Sequence, residues 1–265
     1  MNIFLREIKS NLKSLIIWSI SFGFLIIAGM VKFAGTSADP KLLQDVISQI
    51  PTFLKALFGF GTFDISTLIG YYGIVNFYII LMAAVHASFV AAHTISKEEQ
   101  EKTSEFLMVK PISRNSVITS KLLAVFVNVV IINVVSTLIS IATVSALDSS
   151  KNYSTTILGM MTMMFAIQII FLFIGSAVAT LSSKPKFAAA RAMMLLVFFY
   201  FLSSIIDLFS DLTNLKYFTP FKFFSPVDII NNKPVDVLIV VYSILIVISL
   251  ALLTFKGYEK RDLNV

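Results

Sequence analysis

Six apolar runs of about 20 residues each dominate this chain: Leu15–Val31, Ile69–Ala92, Leu122–Leu147, Ile157–Leu181, Ala192–Phe209 and Val237–Phe255. A helix rises 1.5 Å per residue, so each run is about long enough to cross the ~30 Å hydrocarbon core of a bilayer. Lipid offers the backbone no hydrogen-bond partner, and helices satisfy their own. All seven prolines (Pro40, Pro51, Pro111, Pro185, Pro220, Pro226 and Pro234) fall outside the runs, as unbroken helices require. The expected fold is an all-α membrane protein with six transmembrane helices, multi-pass in the inner or plasma membrane. Only 14% of the residues are charged, against about 25% in a soluble domain. The first run lacks a small-residue cleavage pattern and is expected to stay as an anchor.

Orientation follows from Lys and Arg. Fourteen of them (Arg6, Lys9, Lys13, Lys97, Lys102, Lys110, Arg114, Lys121, Lys184, Lys186, Arg191, Lys256, Lys260 and Arg261) fall on one side of the six runs. The other side holds six (Lys41, Lys55, Lys151, Lys216, Lys222 and Lys233), with Lys32 at the outer end of the first run. The positive-inside rule puts both termini and the loop after the second run in the cytoplasm. In a chain this apolar, the net charge of +6 reads as topology, not as nucleic-acid binding. The absence of cysteine excludes disulfides and thiolate sites.

Residues 1 to 16 place Ile3, Phe4, Ile8, Leu12 and Leu15 at helical spacing, with Arg6, Lys9 and Lys13 elsewhere on the wheel. This predicts an amphipathic interfacial helix on the anionic leaflet, the alternative being an ordinary start to the first span. Residues 41 to 60 repeat the pattern outside, bent at Pro51. Residues 213 to 236 are aromatic and interrupted by prolines, which excludes a seventh span. No internal repeat or low-complexity linker appears, so one membrane domain over 1–265 is the economical division.

The stretch SKEEQEKTSEFLMVKPISRNSVITSK, residues 96 to 121, is the charged exception. Ser96 and Glu99 fit a capping box, predicting a short helix that starts there. Glu98 and Lys102 stand at the spacing of a surface pair. Phe106–Val109 form an apolar knob, Pro111 stops the helix, and Ser113 caps the next one. On this reading Glu98 is solvated, and its loss would do little.

The run EKTSEFLMVKPISRNSVITSKLLA resembles the signature of type-2 ABC transporter permeases: Glu-x-x-Thr-x-Glu-x-Leu-x-x-x-Pro-x-Ser-Arg, then Lys at the foot of the third span. Glu101, Thr103, Glu105, Leu107, Pro111, Ser113, Arg114 and Lys121 match in order. Many members have Gly before the Thr; this chain has Lys102. TPFKFFSPVDII (219 to 230) and YEKRDL (258 to 263) resemble two further family motifs. The resemblance implies a permease subunit of an ATP-driven exporter with a coupling helix between spans two and three. Glu101, Thr103, Glu105, Phe106, Leu107, Pro111 and Arg114 would carry the coupling. It also implies short dipping helices between spans five and six, an ABC ATPase partner in two copies and a second permease copy, identical or not. No Gly-x-x-x-x-Gly-Lys-Ser/Thr loop is present, so no cofactor is expected in this chain, and ATP and Mg would sit on the partner.

The Phe- and Met-rich spans suit a hydrophobic or amphipathic substrate such as a drug, antimicrobial peptide or lipid. Asn76, Asn128, Gln168 and Met164 are the candidate substrate path, against a reading in which polar residues pair helices and Met160, Met161, Met163 and Met164 pack or face lipid. His86 and His93 lie two turns apart with no third ligand, which favours a structural role. Asp207 and Asp211 close the fifth run, where solvation or attraction of a cationic substrate are the alternatives. The rival function is a secondary carrier driven by an ion gradient, which would need charges or helix breaks near the midplane. A membrane enzyme is disfavoured, since no acid–base pair or nucleophile constellation appears.

Overall fold

The computed structural model of the chain describes residues 3–36, 47–60, 63–103 and 112–261. The helices run in the order α1 (Ile3–Thr36), α2 (Thr52–Phe58), α3 (Leu68–Gln100), α4 (Arg114–Leu147), α5 (Ser154–Leu181), α6 (Ala188–Leu208), α7 (Pro226–Ile230) and α8 (Val237–Glu259). Short 3-10 turns occupy Pro185–Phe187, Ser210–Phe218 and Pro220–Lys222. No strand occurs among the described residues. Six helices (α1, α3, α4, α5, α6 and α8) are long and apolar enough to cross a membrane.

The spanning helices outrun their apolar cores. α1 and α4 have 34 residues each and α3 has 33, about 50 Å of helix against a ~30 Å core. Polar side chains start these extensions: Thr67 accepts the Gly70 N–H at 3.1 Å, and Ser113 accepts the Ser116 N–H at 3.3 Å. Asp148 closes α4, where the Ser150 hydroxyl and N–H hold its carboxyl below the usual carboxylate range.

The amphipathic amino-terminal stretch is no separate helix, because α1 runs unbroken into the first span. The side of it that packs into the bundle follows a four-residue spacing. The buried residues are Ile3, Glu7, Asn11, Leu15, Phe22, Ile26 and Met30, while Leu12 turns outward. A four-residue stripe lies on one side of a helix, and this one carries two polar groups that find partners on α3.

α3 and α5 form the centre of the bundle and pack most closely, with α1 against α4 and α8 against α5. Small residues line the central seam: Ala84, Ala87, Ser88 and Ala91 on α3, and Gly175, Ser176 and Ala179 on α5 are all buried. In lipid, where burial between helices gains little hydrophobic energy, close backbone approach is the main source of packing. The four methionines at 160, 161, 163 and 164 are buried in this core. α8 turns most of its apolar surface outward.

Helix α2 starts directly after Pro51, where the break was expected. Residues 37–46 of the same amphipathic segment lie outside the described residues. Between α6 and α8 the chain makes 3-10 turns and the five-residue α7, with Phe223 and Thr219 buried, and no seventh span, as the prolines of that stretch require.

Candidate functional site

The charged segment is rooted differently from the expected helix at Ser96. That residue lies inside α3, buried, with its hydroxyl donating to the Ala92 carbonyl at 2.7 Å. α3 instead ends at Gln100 in a Schellman turn: the Thr103 N–H donates to Glu98 O at 2.8 Å and the Lys102 N–H to Glu99 O at 3.4 Å. This turn needs a left-handed residue, and Lys102 supplies it at φ 56°. That is the position at which many members of the resembling family have Gly, so the turn is kept at a steric cost. Lys102→Gly should therefore stabilise the chain by about 0.5–1 kcal/mol, read as a raised unfolding temperature in detergent. An unchanged or lowered temperature would mean that Lys102 does not hold this conformation.

Glu98 does not pair with Lys102. Its carboxylate reaches the Arg6 guanidinium at 2.8 Å and the Lys121 ammonium on the other side. Lys121, fully buried, also donates to the carbonyls of Thr94 and Ile95. Arg6 reaches Glu7 at 2.9 Å, and Glu7, buried, pairs with Lys97. Lys97 donates to Ser10 at 3.1 Å, and Asn11 to Thr94 at 3.2 Å. Five charges from three helices thus alternate in sign inside the bundle, the arrangement that lets buried charges persist. The expectation that Glu98 is solvated was wrong. Local spacing made it a surface residue, but the approach of α1 and α4 covers it.

The carboxyl-terminal tail enters the same end. Arg261 is buried, pairs with Glu99 at 2.8 Å and donates to the carbonyl ends of α5, Ala179 at 2.7 Å and Ser182 at 3.4 Å. Arg114 donates to the carbonyls of Glu259 and Arg261 at 2.8 and 2.7 Å. Gln100 donates to the Pro185 carbonyl at 3.1 Å. Cations at helix carboxyl ends also meet the negative end of the dipole. The first and last described residues of the chain therefore share one end of the bundle with the end of α3 and the start of α4.

Of the expected coupling residues, Glu101 caps α3 and is exposed, Thr103 closes the turn, and Arg114 opens α4. Glu105, Phe106, Leu107 and Pro111 lie outside the described residues. The candidate path residues are distributed through the core. Asn76 is fully buried on α3, and Asn128 donates to its own helix at Ala124, 2.7 Å away. The Gln168 carbonyl accepts from Asn133 at 3.4 Å, joining α4 to α5, and Met164 is buried one turn away. His86 is buried against Trp18, ring centroids 5.2 Å apart, whereas His93 is exposed and stacks on Phe89. Among the described residues no group of three His, Asp or Glu could hold a metal ion. Asp207 pairs with Lys222, and Asp211 is exposed.

Glu7, Lys97 and Glu98 were missed as a cluster. The available signal was Glu7 and Asn11 standing four and eight residues from Ile3, on an otherwise apolar stripe.

No curated protein matches the chain. The profile described as ABC-2 family transporter protein matches residues 1–263; with six membrane-spanning helices and a charged end that gathers both termini, the chain belongs to that family, a multi-pass plasma-membrane permease subunit whose partner is an ABC ATPase subunit.

Proposed function

We propose that the chain is the single-domain membrane half of an ATP-driven exporter, with its charged end in the cytoplasm. The segment between α3 and α4 docks on a separate ATPase subunit, which binds the ATP and Mg. Two permease copies and two ATPase copies make the assembly, and the cargo is hydrophobic or amphipathic. The supporting observation is the ion-pair cluster at both roots of that segment. Glu98 and Glu99 at its entry, and Arg114 and Lys121 at its exit, are tied to α1, to the tail and to the end of α5. A push on the segment cannot be absorbed by a hinge at its root, so it moves several helices together.

A gradient-driven carrier is the alternative. The carboxylates of the described spans sit near helix ends, and the spanning helices run unbroken, which favours the ATP-driven reading.

Phe106→Ala should cost about 2 kcal/mol of ATPase docking, roughly a 30-fold loss of affinity. Glu105→Lys should add repulsion to the lost contact. Copurification with the ATPase and export from proteoliposomes measure both. A double variant that copurifies and exports normally would reduce the segment to a connector. Transport by the isolated chain that stops when proton and sodium gradients collapse would establish the carrier.

A further inference from the structure

Away from the charged cluster, toward the other end of α3, the fold forms a partly open cavity of about 130 Å³. It lies between α2, α3, α5 and α6, is bordered by the turns that precede α7 and by the first residues of α7, and is open on one side. That is close to the roughly 150 Å³ that admits benzene, so it holds one head group or ring and not a whole amphiphile. Its walls are aromatic: Phe63, Phe77, Tyr200, Phe221 and Phe224. The Tyr200 ring stands 6.3 Å from Phe77 and 6.1 Å from Phe221, and its hydroxyl is committed to the Leu57 carbonyl, leaving the ring as the contact surface.

The charged part of the lining is an ion pair, Asp207 on α6 with Lys222, beside the hydroxyl side chains of Ser203, Ser204 and Ser225. Both side chains are partly exposed, Asp207 more than Lys222. Ring faces carry negative quadrupoles that attract ammonium groups, and aromatic cages commonly recognise quaternary ones. A purely cationic ligand would find Asp207 already neutralised by Lys222. A ligand that carries both charges satisfies the pair by exchange, with its ammonium toward Asp207 and the rings and its anionic group toward Lys222.

From this geometry we infer that the cavity binds the head group of a zwitterionic amphiphile, with an alkylammonium seated among the aromatic rings and Asp207 and a phosphate on Lys222. The apolar tail leaves through the mouth along the outward faces of the bundle. This site is independent of ATPase coupling, and its test uses the isolated full-length chain, so its failure leaves the proposed function standing.

The measurement uses the chain in maltoside micelles, whose sugar head groups are uncharged, with Trp18→Phe and Phe224→Trp to place one fluorophore in the wall. Dodecylphosphocholine should perturb that fluorescence saturably, at a mole fraction about tenfold lower than dodecyltrimethylammonium or dodecyl phosphate, each of which satisfies half of the ion pair. Free phosphocholine should bind more weakly than the dodecyl form. Equal affinity would assign the same head-group chemistry to a water-soluble zwitterion and overturn the amphiphile. Asp207→Asn should weaken phosphocholine binding about tenfold. Lys222→Gln should weaken it too, but should tighten trimethylammonium binding by freeing Asp207. Exchanging the pair, Asp207→Lys with Lys222→Asp, preserves the ion pair and hence the fold while reversing its direction, and should abolish the preference. Unchanged affinity in the exchanged variant, or a cation that binds the parent as tightly as the zwitterion, overturns the proposal.

Discussion

Glu98→Ala should lower the stability of the chain by about 3–5 kcal/mol, the usual cost of removing one partner from a buried pair. The carboxylate lies between Arg6 and Lys121 and is almost fully buried. Without it Lys121 keeps only the Thr94 and Ile95 carbonyls and the more distant charge of Glu7. Arg6 is about one third exposed and can turn to water; Lys121 is fully buried and cannot. Unfolding in detergent, followed by helical signal and temperature, should show the loss. Glu98→Met with Lys121→Met should recover most of it, because replacing a buried pair with packed apolar side chains is often neutral or stabilising. On the proposed function, the recovered protein should still export poorly, since the link between the two roots of the segment between α3 and α4 is gone. A single Glu98→Ala variant that melts like the parent would show that the cluster is not closed in the folded protein.

The second large effect is expected at Gly175. A Cβ built there would stand 2.3 Å from the Ser88 carbonyl oxygen and 2.9 Å from its Cα. Both are backbone atoms of α3, so neither can swing aside, and the helices must part along their central seam. Overpacking of this kind costs about 1–3 kcal/mol, so Gly175→Ala should fall at the upper end and Gly175→Leu should prevent folding. Gly35→Ala is the control: a Cβ there meets nothing within 4 Å, and the better helix former should be neutral or stabilising by up to about 1 kcal/mol. Equal unfolding temperatures for Gly175→Ala and Gly35→Ala would remove the close α3–α5 crossing from the account.

The ion-pair cluster and the small-residue seam serve one purpose in different media. In the bilayer, close contact between α3 and α5 makes the centre of the bundle stiff. At the charged end of the bundle, alternating charges hold α1, α3 and α4 in register. Such a pair adds little net stability over apolar packing, but it penalises any shift of one helix past another. That penalty is what the proposed transmission of movement from an ATPase would need.

Sequence alone determined the number of spans, the absence of proline from them, the aromatic interruption after α6 and the family, because those depend on local hydropathy and on contiguous motifs. It also located the entry to α4 at Ser113, since capping is a contact between neighbours in the chain. Tertiary structure decided what local spacing could not. Ser96 and Glu99 fit a capping box, yet α3 continues through both, because Arg261 supplies Glu99 with a partner 162 positions away. Glu98 and Lys102 stood at pairing distance along a helix, but that helix ends between them and the stronger partners come from Arg6 and Lys121. Hydropathy likewise ended the spans too early, since a charged helix end reads as loop until its counter-charges on other helices are known. The physical reason is the same in each case. A short-range pattern states what a residue can do in water, whereas burial by a distant helix changes the medium, and the medium decides which of those options is lowest in free energy.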